Sequence, residues 1–379
     1  MTTKSAELLS IAQKRLYPNY KPAPIVVARG KGCDLFDVDG RRWLDLAAGV
    51  AVCSVGHAHP RLVKALADQA ARVMHVSNYF YNEENVLLAD ALAERSGLAR
   101  AFFCSSGAEA NEAMFKLARR HFFGKGDTKR TRFIAFHNAF HGRTMGAVSL
   151  TGTPKYREGF GGVEGVTHVA YGDLDAVKAE LGGDVAAVIV EPVQGERAAS
   201  SPRRPASSRR SALTSERGAF APPRQVQTGI RSHGSLVRPD RRASGPTRWQ
   251  RQGLGGGCPI GAMLTTEMRG RTAPPGTHGS TFGENPLRQR RARAVLAILE
   301  EEGLVDGARA KGERLGAMLA ELARGCRRMR GRARRRPPPR PGAQAKGYRS
   351  RHPPERSPTR ASCSRPPAGT VIRFTRRSS

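Results

Sequence analysis

Pairing is what the cysteines of this sequence lack. The six of them, at 33, 53, 104, 258, 326 and 363, include no Cys-x-x-Cys pair, which excludes a zinc module or a disulfide framework and leaves reduced thiols. No apolar run approaches the roughly 18 residues of a membrane-spanning helix. The opening MTTKSAELLS has no apolar core of an export signal, so the expected location is the cytoplasm. Aromatic residues are scarce, at 6%. Lysine is missing between Lys178 and Lys311, and Asp240 is the only aspartate between Asp184 and Asp306.

What is abundant is positive charge, and it is unevenly spread. The whole chain of 379 residues carries a formal +32. Residues 1–196 hold 24 Lys and Arg against 21 Asp and Glu, with 6 of the 25 prolines. The remainder holds 40 basic against 11 acidic groups and 19 prolines. A balance of this kind raises a nucleic-acid-binding protein as an alternative. Against it, the basic blocks carry almost no interleaved aromatics and no recognisable binding module, so binding of that kind would be nonspecific and salt-dependent.

In the first part the alternation of elements is legible. RLVKALADQAARV (61–73) and VLLADALAER (86–95) carry apolar residues at helical spacing. AFFC (101–104), RFIAF (132–136) and VAAVIVEPV (185–193) are apolar runs of strand length, the last expected to be fully buried. Strands alternating with helices imply an α/β fold with a mostly parallel sheet and ligands beyond the carboxyl ends of its strands.

FCSSGAEANEAMFKLARR (103–120) runs from the end of such a strand into a helix whose stripe is Ala110, Met114, Leu117 and His121. Between strand and helix stand Ser105, Ser106, Gly107 and Ala108. Small residues there leave the first-turn N–H groups open, and the helix dipole adds positive charge, which makes an anion site suited to phosphate. Tight packing of a strand-to-helix turn explains the same residues equally well when they are taken alone.

Four further pieces behave alike. In FHNAFHGRT (136–144), Phe140 can lie against a ring and Arg143 can receive a carboxylate through its planar fork. EPVQGE (191–196) places the carboxylates Glu191 and Glu196 at the end of the buried strand. GLGGGCPIGA (253–262) is a glycine turn that needs positive φ or close backbone approach. HGSTFGENP (278–286) offers the hydroxyls of Ser280 and Thr281 to an anion.

Together, in this order and spacing, these pieces carry a resemblance. With GKGCDLFDVDGRRWLDLAAGVAVCSVGHAHP (30–60), QTG (227–229) and PPGTHGSTFGENP (274–286), the chain resembles the class III, fold-type I aminotransferases, which use pyridoxal 5'-phosphate. The continuous resemblance covers about half the chain. It implies that Gly107 and Ala108 donate backbone N–H groups to the cofactor phosphate and that Phe140 stacks on its ring. It implies that Gln227 joins the cofactor contacts, and that Arg143, Ser280 and Arg373 hold substrate. Thr281 would reach the cofactor phosphate of the neighbouring subunit in a homodimer, and Glu196 would be a gating carboxylate near the substrate. The family reaction moves an ω-amino group from a small amino donor to 2-oxoglutarate, in two half-reactions.

The chain departs from that pattern where the chemistry is carried. In RQVQTG, Arg224 stands where the family has an Asp that pairs the ring nitrogen, and in QGLGGG, Gln252 stands where the family has its cofactor-anchoring lysine. An amide cannot form that covalent link, and a guanidinium opposes protonation of the ring nitrogen. A non-catalytic cofactor binder is therefore the alternative reading for the chain as written. The departures come in Arg/Pro/Ser-rich blocks, 196–225, 230–252, 287–293 and 324–367, between which the family motifs resume at the family's spacing. Foreign composition with length preserved is the mark of a GC-rich coding sequence read out of frame.

The expected architecture is a large cofactor-binding domain over 50–286 and a small α+β domain from residues 1–49 with 287–379. Helices are expected over 294–302 and 309–323, whose apolar spacing survives. Irregular chain is expected over 197–224 and 324–367, which lack the apolar residues to offset chain entropy.

Overall fold

From residue 60 onward helices and strands alternate along the chain, and each begins where a local signal starts it. The structure, a computed structural model, describes residues 3–191, 194, 219, 247–250, 254–325, 363–364 and 373–374. Ahead of the alternation lie α1 (Lys4–Arg15) and an antiparallel meander of β1 (Val27–Lys31), β2 (Asp34–Asp37) and β3 (Arg42–Leu44). A short turn, α2 (Ala48–Ala51), follows. Its residues Ala48, Gly49, Val50 and Ala51 all have positive φ, between 46° and 67°. Asp45 holds its entry, accepting N–H bonds from Ala47 (2.8 Å) and Ala48 (3.0 Å) while its other oxygen meets His57 Nε2 at 2.8 Å.

Helix α3 (Pro60–Arg72) starts on a proline, which suits a first turn that has no use for that N–H. Helix α4 (Glu83–Ser96) is capped by the Asn82 side chain at its start and by Gly97 at φ 69° at its end. Both match the helices expected over 61–73 and 86–95. Strand β4 (Arg100–Cys104) then leads into α5 (Gly107–Phe123). The anticipated stripe of Ala110, Met114, Leu117 and His121 is buried. After α5 come β5 (Arg132–Phe136), α6 (Met145–Leu150), β6 (Val166–Val169), α7 (Leu174–Glu180), β7 (Val185–Val188), β8 (Thr247–Gln250) and β9 (Gly261–Thr265). The described chain continues through α8 (Glu267–Gly270), α9 (Pro286–Glu301) and α10 (Leu304–Gly325) to a two-residue pairing of β10 (Cys363–Ser364) with β11 (Arg373–Phe374).

Two three-stranded sheets form the centre, in the orders β6–β5–β7 and β4–β9–β8. The first is parallel throughout, as expected, whereas β9 runs antiparallel to both neighbours. Side chains alternate across the sheets, so Phe133 and Ala135 of β5 face one apolar cluster while Ile134 and Phe136 face another. The cluster under α5 draws Cys104 from one sheet and Phe133, Ala187 and Ile189 from the other, and Phe115 stacks on Phe133 at 4.0 Å between centroids. One helix therefore covers both sheets. The opposite face of β4–β9 packs on α3, α4 and α9 through Phe103, Leu264, Leu88 and Leu296.

Two expectations need correction. LRQRRAR (287–293) does not interrupt the fold but forms the first turns of α9. Asn285 caps that helix, Pro286 opens it, arginine is a good helix former, and Gln289 and Ala292 fall on its buried face. TRWQ (247–250), inside another block, is strand β8 paired with β9. The rest of the blocks at 197–224 and 324–367, apart from Ala219, 324–325 and 363–364, lies outside the described residues.

The start of α5 yields a stability prediction. Ser106 Oγ accepts from Glu109 N (3.1 Å), and the Glu109 carboxylate accepts in return from Ser106 Oγ (3.2 Å) and Ser105 N (2.8 Å), a capping box whose return backbone bond falls on the residue before the cap. Ser106→Ala is expected to cost about 1 kcal/mol in a urea denaturation series. An unchanged midpoint would show that the box contributes nothing to the fold.

Candidate active site

The β4–α5 junction collects the small residues of the SSGA run. The first two helical N–H groups, those of Gly107 and Ala108, have no bonding partner among the described residues, because the capping box takes up Ser105 and Glu109 instead. They are two orphan donors at the positive end of a 17-residue helix.

Glycine is required around this turn for close approach. A Cβ on Gly261 of β9 would overlap the carbonyl oxygen of Ser106 and stand 2.7 Å from Cys104 Sγ. A Cβ on Gly142, at φ +135°, would stand 2.7 Å from Ala108 Cβ. Gly142 thus seats the loop between β5 and α6 against the first turn of α5, and that loop carries Phe140 and Arg143. The Phe140 N–H donates to Glu191 Oε2 at 3.0 Å, so the buried carboxylate at the end of the β7 segment anchors the loop. The guanidinium of Arg143 lies 3.8 Å over the Tyr156 ring and 5.5 Å from the Phe140 centroid.

Ser280 and Thr281 arrive from the loop before α9. With Ser105, Glu109, Glu112 and His278 they line a cavity of about 430 Å³. Asn78 Nδ2 donates to Ser280 O (3.3 Å) and Asn82 Nδ2 to Glu284 O (3.0 Å), which ties this loop to the start of α4. His278 Nδ1 accepts from Lys116 Nζ at 2.9 Å. Burial, then the Lys116 charge, push the His278 pKa down against the opposing pull of Glu112 and Glu109, which disfavours the protonated imidazole. A larger cavity of about 1010 Å³ lies beside the later turns of α5, among Lys116, Arg119 and Arg120, and takes in His278 but none of the candidate site residues.

The glycine turn behaves as its sequence implies. Gly256 and Gly257 have φ of +51° and +103°, and a Cβ on Gly255 would overlap Cys258 O. Arg291 Nη2 donates to Gly256 O at 2.5 Å, and the turn packs beside Cys53.

The structure therefore seats the loop of Phe140 and Arg143 against the turn that carries Gly107 and Ala108, and sets Ser280 and Thr281 over a cavity they share with Ser105, Glu109 and Glu112. Glu196, Arg224, Gln227 and Gln252, and the side chain of Arg373, lie outside the described residues. Sequence reasoning missed Gly142, Asn111, Arg288 and the Lys116–His278 pair. Arg288 Nη1 donates to Ser105 Oγ at 2.7 Å, from a run that composition alone marked as foreign. Glycine between His141 and Arg143 was the signal available for Gly142.

These features fit the phosphate end of pyridoxal 5'-phosphate: two unpartnered N–H donors at a helix start and an aromatic ring on the adjoining loop. The covalent end does not fit: no lysine lies between residues 178 and 311, the stretch in which the resemblance places the family's anchoring lysine.

Comparison with known proteins agrees with the geometry. The family model for aminotransferase class-III matches residues 16–334. An acetylornithine aminotransferase of Myxococcus xanthus is 44% identical over 323 residues, 83% of this chain and 79% of that protein. A succinylornithine transaminase/acetylornithine aminotransferase of Pseudomonas aeruginosa is 42% identical over 81% of this chain and 76% of its own length. Among solved structures, the ornithine aminotransferase of Toxoplasma gondii ME49 superimposes with a TM-score of 0.79 at 30% identity, over 86% of this chain and 78% of that one.

Proposed function

This chain belongs to the class III aminotransferases, and from that premise we propose that its scaffold is built to move the ω-amino group of N-acetylornithine to 2-oxoglutarate, a step of arginine biosynthesis, with pyridoxal 5'-phosphate as cofactor. The pair of unpartnered N–H groups at Gly107 and Ala108 is the observation that carries the reading. In it these two donors hold the cofactor phosphate and Phe140 packs on the ring, with Gln227 beside it. Arg143, Ser280 and Arg373 hold the substrate carboxylates, and Glu196 gates their approach. When bound, the cofactor supplies an electron sink for the carbon that bears the amino group. A protein base must still move the proton at that carbon, and the family places a lysine there.

Gln252 and Arg224 favour a second reading for the chain as written, that of a cofactor binder without turnover. An amide neither anchors the cofactor nor carries a proton, and a guanidinium at the ring nitrogen opposes its charge. We attribute both residues to a reading-frame shift in the block around them. The nucleotide sequence across codons 196–255 tests this: an alternate frame is expected to encode an apolar strand ending in Asp-Glu before VQTG and a lysine before GLGGG. If no frame does, the attribution is wrong.

The reading includes a large domain over 50–286, a small domain from 1–49 with 287–379, and a location in the cytoplasm. Among the described residues no helix is long and apolar enough to cross a membrane. It also includes a homodimer, with Thr281 reaching the partner's cofactor phosphate. Thr281 is exposed in the single chain, next to the exposed Phe282 and the exposed run Tyr79, Phe80 and Tyr81. Light scattering at micromolar concentration is expected to give twice the mass of one chain. A monodisperse single chain would remove Thr281 from the site.

A further inference from the structure

Helix α6 begins without a cap of its own. Thr144 occupies its cap position and makes no side-chain bond to the first turn. The acceptor comes from another helix. Glu112 of α5 reaches across with Oε1 to accept the N–H of Gly146 (2.8 Å) and of Ala147 (3.1 Å). Glycine at 146 leaves the carboxylate room for this approach, since a Cβ there would overlap Glu112 Oε2 and displace it. One residue earlier on α5, fully buried Asn111 donates its Nδ2 to the carbonyl oxygen of His141. A third bond holds the same loop from within, where Thr151 Oγ1 accepts from His141 N at 3.0 Å.

We propose that Asn111 and Glu112 are positioning residues, which clamp the loop of residues 139–147 to the first turn of α5 and so set Phe140 and Arg143 beside the Gly107–Ala108 donors. The inference rests on the proposed cofactor site for its functional consequence and on the bonds above for its geometry. The clamp reaches the loop from the same helix that carries the donors, one turn further on, so the distance between ring contact and phosphate contact is set within one rigid element. Two orphan N–H groups at a helix start are a demanding pair to leave dry, and a carboxylate from a neighbouring helix satisfies both while its charge meets the positive helix end. Pre-setting the loop removes its ordering from the cost of binding. The phosphate donors themselves belong to α5 and do not depend on the loop.

The test separates these two parts of the site. In the full-length protein, Glu112→Ala is expected to weaken equilibrium binding of pyridoxal 5'-phosphate at least tenfold, measured by equilibrium dialysis. Binding of inorganic phosphate, measured by competition, is expected not to weaken, because Glu112 lines the neighbouring cavity with a carboxylate that repels an anion. Glu112→Gln, which keeps an oxygen acceptor for both N–H groups, is expected to retain most of the affinity. Hydrogen exchange supplies a readout that needs no ligand: in Glu112→Ala the amides of Gly146 and Ala147 exchange at least tenfold faster, with those of residues 113–117 unchanged. Equal loss of phosphate and cofactor binding, or unchanged exchange at Gly146 and Ala147, overturns the clamp. If the unsubstituted protein binds neither ligand, the cofactor assignment fails, while the exchange result still decides whether Glu112 holds the loop.

Discussion

Purified protein of this sequence is expected to form no glutamate from N-acetylornithine and 2-oxoglutarate above the rate of free cofactor in the same buffer. Removing a group that acts as nucleophile and proton carrier typically lowers turnover by about 10⁴-fold or more. On the proposed placement of the family lysine at Gln252 both roles are lost at once, and no lysine between residues 178 and 311 can take them up from nearby sequence. On the same proposed placement, Arg224 puts a positive charge where the family has a negative one, which works against the electron sink. Gln252→Lys alone should therefore recover little. Restoring the lysine, the aspartate and the in-frame segment across 197–225 should recover much more, because the proton carrier and the partner of the ring nitrogen then return together. A coupled assay for glutamate, read beside the visible absorbance of covalently held cofactor, follows the series. Robust turnover by the unmodified chain would overturn the placement of the family lysine at Gln252.

Gly261→Ala should be the most damaging conservative change at the described junction. Its added carbon has nowhere to go: the Ser106 carbonyl oxygen, Cys104 Sγ and the Ser106 carbonyl carbon all lie inside contact distance. Backbone cannot rotate away as a flexible side chain would, so β9 must separate from the end of β4 or the SSGA turn must move. Overpacking of this kind costs about 3 kcal/mol. The same shift tilts Gly107 and Ala108, so phosphate affinity should fall together with the urea midpoint. Gly276→Ala serves as the control: it has a positive φ of +84° but open space around its Cβ position, and only the backbone penalty applies. A Gly261→Ala protein with native midpoint and phosphate affinity would show that the turn tolerates movement there.

The pH dependence of one local tie follows from its charge environment. Burial opposes ionisation of Asp45, but the bond to His57 and the N–H groups of Ala47 and Ala48 prevail, and its carboxyl is held below the ordinary range. A lowered carboxyl pKa stabilises the folded state above the unfolded value and is lost as pH falls through the folded one. The left-handed turn at 48–51 should therefore loosen on acidification below the ordinary carboxylate range, seen as faster exchange of the Ala47 and Ala48 amides. Asp45→Asn should remove that acid dependence.

The elements that sequence determined by itself were those specified locally. The faces of α3, α4 and α5 follow from apolar spacing, and their ends from Pro60, Asn82, Gly97 and Ser106, each of which acts within a turn or two of its own position. The strands at 101–104 and 132–136 and the anion-ready start of α5 were legible for the same reason. The lack of any lysine between residues 178 and 311 needs no structure to be seen.

What only the tertiary structure decided depends on partners distant in sequence. LRQRRAR is foreign by composition, yet Arg293 Nη1 bonds Glu84 Oε2 at 2.6 Å and Arg288 bonds Ser105, so contacts more than 180 residues away keep the run helical. The antiparallel direction of β9 is a matter of which strands it meets and not of its own GAMLT. Four successive residues of positive φ at 48–51, Val50 among them, would be strained in isolation; Asp45 and His57 hold them. In sequence Glu112 is one more acid near the start of α5, with nothing beside it to mark its partner. Folding sets it under the start of α6, where the two N–H groups it accepts come from residues 34 and 35 positions further along the chain.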